Sequence, residues 1–286
     1  MSKVSFLFGT VGTPHSKPKS PGGTVGGVMH IRKLDLDAME IGWVRSVRVS
    51  DSTCAKIKET AQEHEVDLSV HAPYYINLNA DDEEWPNSRE RLMDAAIAGY
   101  KSGATDIIFH PGSYFERPPE EVLKVVMPRL EGCVEELQDG GFEVTLRPET
   151  MGKGAMLGSL QDTLEMSRIP SVEPCLDFAH LHARPGDGSM NSYDEWMEVF
   201  DRYADALGPE SLQRIHCHVS GIAYTEKGEQ EHLTFEEADF DLDGLLRALD
   251  AADARGRLLC ESPILEEDAV VMRDRWFALS GESKEN

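Results

Sequence analysis

Asp67-Leu68-Ser69-Val70-His71-Ala72-Pro73-Tyr74 and Asp106-Ile107-Ile108-Phe109-His110-Pro111-Gly112-Ser113 follow one plan, a short apolar, β-prone run that ends on a histidine as the chain leaves the strand. Further runs end on Glu149, on Asp177 with His180 shortly after, on His218 and on Glu261. Imidazoles and carboxylates are the ligands that borderline divalent cations prefer. The C-terminal ends of parallel strands are where a (β/α)8 barrel gathers its chemistry from distant parts of the chain. One pattern therefore predicts both a fold and a buried, multi-metal site.

Working outward, eight apolar runs are countable, at 4–8, 38–41, 67–71, 106–110, 143–146, 173–177, 214–219 and 257–260, alternating with longer segments of helical period. That alternation is the mark of parallel βα units. A chain of 286 residues with 40% hydrophobic content accommodates a single-domain α/β TIM barrel, which needs roughly 250. The clearest helix is expected from 118 to 137, where Val122, Val125, Val126, Leu130, Cys133, Val134 and Leu137 recur at three- and four-residue steps. Pro118-Pro119 suit its first turn, Gly140-Gly141 end it, and Pro128 predicts a kink. A Gly/Pro-rich stretch, 13–27, is expected as a mobile loop on the catalytic face, and 281–286 as a frayed tail.

Fifty-two acidic against 28 basic residues give a net charge of −24, spread along the chain. Such a surface suits concentrated salt, where self-repulsion is screened, and points to a salt-adapted archaeal source. It argues against a nonspecific nucleic-acid coat, because that affinity comes from Lys and Arg neutralising phosphates. A polyanionic substrate needs a local patch or bound metal ions. The cysteines, Cys54, Cys133, Cys175, Cys217 and Cys260, stand singly and are expected as free thiols in a reducing compartment. No run of about 18 apolar residues occurs, and the apolar part of the N-terminus is short for a secretory signal. A soluble, cytoplasmic protein without membrane contact is expected.

Each candidate ligand has a plainer reading. A strand-end histidine alone is explained by a hydrogen bond at the barrel rim; equivalent placement of His71 and His110 on neighbouring strands favours ligands. Glu149 either bridges two cations or pairs with Arg147. His182 reads as a surface or outer-sphere residue. In Ile215-His216-Cys217-His218, period two puts both histidines on one face. His218 lies nearer the C-terminal end and is the better ligand, while His216 fills the barrel interior or orients a ligand. His232, in a charged stretch, would by itself be solvent-exposed. Glu40 is left over, as a core-rim carboxylate or a substrate contact.

His71-Ala72-Pro73-Tyr74 with Ile76-Asn77-Leu78, His110-Pro111-Gly112-Ser113, Pro148-Glu149-Thr150, Leu176-Asp177-Phe178-Ala179-His180, His218-Val219-Ser220-Gly221 and Cys260-Glu261-Ser262-Pro263 come in a telling order. Over roughly residues 66–272 they resemble the endonuclease IV family of apurinic/apyrimidinic endonucleases. The resemblance implies a (β/α)8 barrel with a trinuclear zinc centre that cleaves DNA on the 5′ side of abasic sites. An activated water would be the nucleophile. His71 and His110 would hold the first zinc, and Glu149 would bridge it to a second completed by Asp177, His218 and Glu261. His180 and His232 would hold a third. Glu149 and Glu261 would be the catalytic carboxylates, and Tyr74 would contact damaged double-stranded DNA. Two or three Zn2+ are implied, ahead of Mn2+ or Mg2+, in a monomer.

Two departures stand out. The family's third-zinc loop reads Asp-x-His, whereas Glu229-Gln230-Glu231-His232 leaves open which acid, if any, joins His232. The second strand is followed by Val44-Arg45-Ser46-Val47-Arg48 without the longer arginine-bearing DNA loop. The alternative is a sugar isomerase or epimerase on the related xylose-isomerase-like barrel, with a carboxylate-rich site and Mn2+ or Mg2+. The candidate histidines favour zinc, whereas Glu40, the short loop and the acidic surface favour the sugar. A noncatalytic barrel with structural metals is a third class, against which an open coordination position would argue.

Overall fold

The computed structural model describes residues 6–282. Eight parallel strands form its frame: β1 (Phe6–Val11), β2 (Ala38–Gly42), β3 (Asp67–His71), β4 (Asp106–Phe109), β5 (Thr145–Pro148), β6 (Cys175–Asp177), β7 (Ile215–Val219) and, after a hairpin of β8 (Gly221–Thr225) and β9 (Gly228–Leu233), β10 (Gly256–Cys260). They pair in the order β5-β4-β3-β2-β1-β10-β7-β6. Parallel bridges Leu146↔Val172 and Glu149↔Cys175 join β5 to β6, with Thr150 N–H donating to the Cys175 carbonyl at 3.0 Å. The result is a nearly closed (β/α)8 barrel, as expected.

The helices α1 (Gly23–Lys33), α2 (Asp51–Glu63), α3 (Trp85–Ser102), α4 (Pro119–Asp139), α5 (Leu160–Met166), α6 (Phe178–Ala183), α7 (Tyr193–Leu207) and α8 (Leu242–Ala251) lie between the strands in sequence, and α9 (Glu266–Ser280) follows β10. α4 buries Val122, Val126, Leu130, Cys133, Val134 and Leu137 of the stripe its periodicity implied, leaves Val125 half-buried, and runs through Pro128. Phe6 and Phe8 of β1 point outward to α9, Phe6 meeting the Trp276 ring edge-on at 4.9 Å. The cysteines are free and buried. No helix among the described residues is long and apolar enough to cross a membrane.

Some boundaries differ from the sequence reading. The first strand was expected from Val4, which lies outside the described residues. β5 begins at Thr145 rather than Glu143, because Gly140-Gly141 and Phe142 still belong to the turn that ends α4. The stretch 13–27 enters α1 at Gly23. Its glycines serve close approach there: a Cβ on Gly26 would sit 1.9 Å from the Pro21 carbonyl oxygen. Ahead of α1, the Glu266 carboxylate accepts the His15 and Ser16 amides at 2.9 and 2.7 Å. Gly281 ends α9 and Glu282 accepts from the Trp276 indole at 3.1 Å; residues 283–286 lie outside the described residues.

Period two turns alternate side chains of every strand into the barrel, and the parallel register levels them into layers. The N-terminal layer is ionic: Asp106 pairs with Arg147 and Arg257, and Arg257 also meets Asp67. The middle layer holds Glu40 between Ser69 and His216, each of which contacts its carboxylate. The C-terminal layer carries the candidate ligands. Gly9 lets β1 and β2 approach at this wall, since a Cβ there would stand 1.9 Å from the Ala38 carbonyl oxygen. Gly9→Ala is expected to cost about 1–3 kcal/mol, because the obstacle is backbone. Urea unfolding checks this, and an unchanged midpoint would contradict it.

Candidate metal centre

Strand ends and the β8–β9 hairpin bring every predicted ligand to one place. The predicted ligands form three groups of donors, each with its ligand atoms within 4.8 Å of one another: His71, His110 and Glu149; Glu149, Asp177, His218 and Glu261; and Asp177, His180 and His232. Glu149 is nearly inaccessible at the centre. Its Oε2 lies 3.1 Å from His71 Nε2 and 3.1 Å from His110 Nε2, and its Oε1 lies 3.3 Å from His218 Nδ1. Glu261 Oε2 approaches the same His218 nitrogen at 3.4 Å. Asp177 ends β6 and caps α6, its Oδ1 accepting the His180 amide at 2.7 Å.

The ring orientations follow a rule. A ligating imidazole usually fixes its other nitrogen on an outer acceptor, which sets tautomer and direction. His71 Nδ1 lies 2.9 Å from the Ala72 carbonyl, His180 Nδ1 2.9 Å from the Thr150 carbonyl, and His232 Nδ1 2.6 Å from Ser220 Oγ. His71 Nε2 is left to face Glu149, and His180 Nε2 to face Glu229. The donor set also fits a cation. Asp177 Oδ2 and Glu261 Oε2 are buried with no hydrogen-bond partner, and clustered buried carboxylates are unfavourable unless a positive charge joins them.

The metal-free electrostatics agree. Burial drives Asp177 up to about 6, the His180 charge opposing and the Glu149 charge reinforcing the rise. Burial would depress His71 and His180, but Glu149 beside His71, and Asp177, Glu149 and Glu229 beside His180, lift both to about 9. Glu149 is held well below the carboxylate range, because His110, His218 and His71 outweigh its burial. Imidazole protons thus balance the acids, and these are the protons that a metal displaces on binding.

The hairpin places one of the two acids beside the histidines. A regular strand puts residues i and i+2 on one face, so Glu229 and His232, three apart, would point to opposite sides. Here Ala223 pairs with Glu231 but Tyr224 with Glu229, leaving Gln230 as the extra residue of a bulge. That insertion returns Glu229 to the side of His232. Glu229 Oε2 lies 3.2 Å from His180 Nε2 and accepts the Gly152 amide at 3.0 Å, while Glu231 is exposed. His232 is half-buried, its ring centroid 5.3 Å from that of His180, rather than the solvent-exposed residue it would be alone.

Other readings are settled by contacts. Arg147 turns away from Glu149 to Asp106 and Glu173, so the ion pair weighed for Glu149 does not form. His182 is fully buried, not at the surface, because α6 packs it under Tyr224 and Phe240; its nitrogens meet the Met190 carbonyl and Asp239. His216 fills the barrel interior, and burial lowers it to about 4. Tyr74 stacks on His110 with centroids 5.1 Å apart and rings 8° from parallel, yet keeps 43% of its surface exposed. Cys175 was missed. Its sulfur groups with His216 and His218, and the only signal was its place two residues before Asp177 on an inward face.

Comparisons with known proteins give the family. A protein of Methanocaldococcus jannaschii described as uncharacterized is 35% identical over 271 residues, covering 94% of this chain and 96% of that protein. A probable endonuclease 4 of Methanosphaera stadtmanae is 23% identical over 210 residues, 71% of this chain and 66% of that protein, so the chain spans about two thirds of its length. Among solved structures, endonuclease IV from Thermus thermophilus superposes with a TM-score of 0.70 at 22% identity, over 91% of this chain and 95% of that one. A D-tagatose 3-epimerase-like protein does so with a TM-score of 0.69 at 18% identity, over 97% and 98%. At such identities these two establish the fold alone. The family model described as xylose isomerase-like TIM barrel matches residues 28–276, the span that holds nearly all of this layered barrel, and the chain belongs to that family.

Proposed function

We propose that this chain is a zinc-dependent phosphodiesterase that cleaves DNA on the 5′ side of abasic sites, acting as a cytoplasmic monomer. The observation that carries this is the sharing of donors: Glu149 belongs to the first and second groups and Asp177 to the second and third. Three cations side by side need such shared carboxylates. His71, His110 and Glu149 would hold the first, Glu149, Asp177, His218 and Glu261 the second, and Asp177, His180, His232 and Glu229 the third. The imidazole-rich outer groups suit zinc better than manganese or magnesium. Zinc bound there supplies Lewis-acid stabilisation of phosphodiester oxygens and a water acidified towards neutral pH.

The chain's own residues do the rest. Glu149 and Asp177, each shared by two groups, would set the spacing of the cations, and with Glu261 would keep the local charge low enough for them to bind. The exposed Tyr74 ring, braced on His110, offers a face to an unstacked nucleotide. The Tyr74 amide donates to the Val44 carbonyl at 3.2 Å, which brings the loop bearing exposed Arg45 and Arg48 alongside Tyr74. That short loop supports phosphate contact in a strongly acidic chain.

The second reading, a sugar isomerase or epimerase, has one observation of its own. Glu149, Asp177, His218 and Glu261 by themselves make a carboxylate-rich group of the kind hard cations accept. Metal analysis of protein purified without chelators, coupled to cleavage of a duplex with a single abasic site, separates the two. Two or three zinc equivalents and a nicked duplex are expected. One manganese, an intact duplex and epimerised ketose would transfer the assignment to the sugar.

His232→Ala is expected to release about one metal equivalent while the His71/His110/Glu149 site stays loaded, because separate ligands support separate ions. Glu229→Gln should act in the same direction and Glu231→Gln should not. Unchanged metal content in both His232→Ala and Glu229→Gln would leave a two-metal centre.

A further inference from the structure

Glu40 belongs to none of the three donor groups, yet it is fully buried on β2, one layer beneath them. Its Oε2 accepts from Ser69 Oγ at 2.8 Å and meets His216 Nε2 at 2.9 Å. Its Oε1 lies 3.0 Å from His218 Nε2, within ion-pair distance, and both atoms are buried without a hydrogen-bond partner. His218 is also turned the opposite way from His71, whose Nδ1 meets the Ala72 carbonyl and whose Nε2 faces Glu149. His218 Nδ1 faces Glu149 and Glu261, and its Nε2 points down into the barrel.

We infer that Glu40 is a positioning residue that acts through His218: it holds the ring by Nε2 so that the Nδ1 lone pair is presented to the metal centre. The inference rests on the metal-centre reading above and adds to it the reason one ligand uses the other nitrogen. A neutral imidazole has one N–H and one lone pair, and a neighbour that only accepts assigns the N–H to its own side. An ionised carboxylate only accepts. Glu40 is itself pinned, because Ser69 and His216 grip one oxygen and leave the other aimed at His218. The outer partners of His71, His180 and His232 are carbonyl or hydroxyl oxygens, so His218 is the ligand among them with an anionic brace, which also strengthens it as a donor. β2 supplies no ligand of its own; its contribution is this brace.

The test is metal retention. Glu40→Gln keeps the side-chain size but can donate an N–H towards His218, which would turn the lone pair away from the centre. One zinc equivalent should then be lost to a competing chelator about 10- to 100-fold more readily than in the wild type, with the His71/His110/Glu149 ion unaffected. Met39→Leu is the control: it changes the buried neighbour of Glu40 on β2, whose side chain emerges on the other face of the strand, so Glu40 keeps Ser69, His216 and His218 and retention should stay near that of the wild type. Equal loss in both variants would make Glu40 a packing residue and overturn the inference, as would unchanged retention in Glu40→Gln.

Should Glu40→Gln not fold, 15N spectra of histidine-labelled, zinc-loaded wild type decide, with His218 assigned by its absence in His218→Asn. The expected signature is a proton on Nε2 and zinc on Nδ1. Zinc on Nε2, as a site made from Cys175, His216 and His218 would require, overturns the inference. Failure to cleave DNA leaves these readouts intact, whereas a wild type that takes up no metal removes the metal-centre reading and this role with it.

Discussion

Glu149→Gln is expected to reduce cleavage of an abasic-site duplex by roughly a thousandfold, equivalent to about 4 kcal/mol of transition-state stabilisation, while the barrel stays folded. Both carboxylate oxygens are engaged, Oε2 between His71 and His110 and Oε1 towards His218. An amide of the same shape retains one acceptor and turns a donor towards a neighbour that must offer a lone pair. It also removes the negative charge shared by the first two donor groups, so both ions lose a ligand at once. The measurement is kcat/KM together with metal content and the urea midpoint. Near wild-type cutting would end the bridging role, and an unfolded variant would show that Glu149 is needed for the barrel itself.

Arg147→Met is expected to destabilise the fold by about 3–5 kcal/mol, the usual consequence of removing one member of a buried ionic network. Arg147 donates to Asp106 and to the Pro174 and Arg214 carbonyls at 3.0 and 3.1 Å, and pairs with Glu173 at 3.2 Å. A thioether satisfies none of these acceptors. The effect should depend on pH in a defined direction. Burial alone would raise Asp106, but Arg147 and Arg257 outweigh it and hold the carboxyl well below its ordinary range. A depressed carboxyl stabilises fully above its unfolded value, about 3.9, and loses that contribution as pH falls towards the folded one. The difference between wild type and variant should therefore be constant near neutrality and shrink only below about pH 4. Denaturant unfolding across that range checks both points, and a loss under 1 kcal/mol at pH 7 would contradict the first.

Much of this protein is legible one residue at a time. The alternation of apolar runs and helical segments specifies a parallel barrel, because period two and period 3.6 are local properties of the chain. Strand ends are local too, so His71, His110, Glu149, Asp177, His218 and Glu261 are recognisable as a converging set before any coordinates exist. Tertiary structure decides what depends on register and on neighbours from other strands. Whether Arg147 pairs with Glu149 or with Asp106 depends on which end of the barrel its guanidinium reaches, and Asp106 of β4 and Glu173 ahead of β6 provide the answer. Which acid joins His180 and His232 depends on a bulge at Gln230, since one extra residue changes the face on which a strand's side chains emerge. Glu40 is the clearest case. In the sequence it is a lone acid in an apolar strand, and its meaning comes from His218, nearly 180 residues away, which only the closed sheet brings to within 3.0 Å.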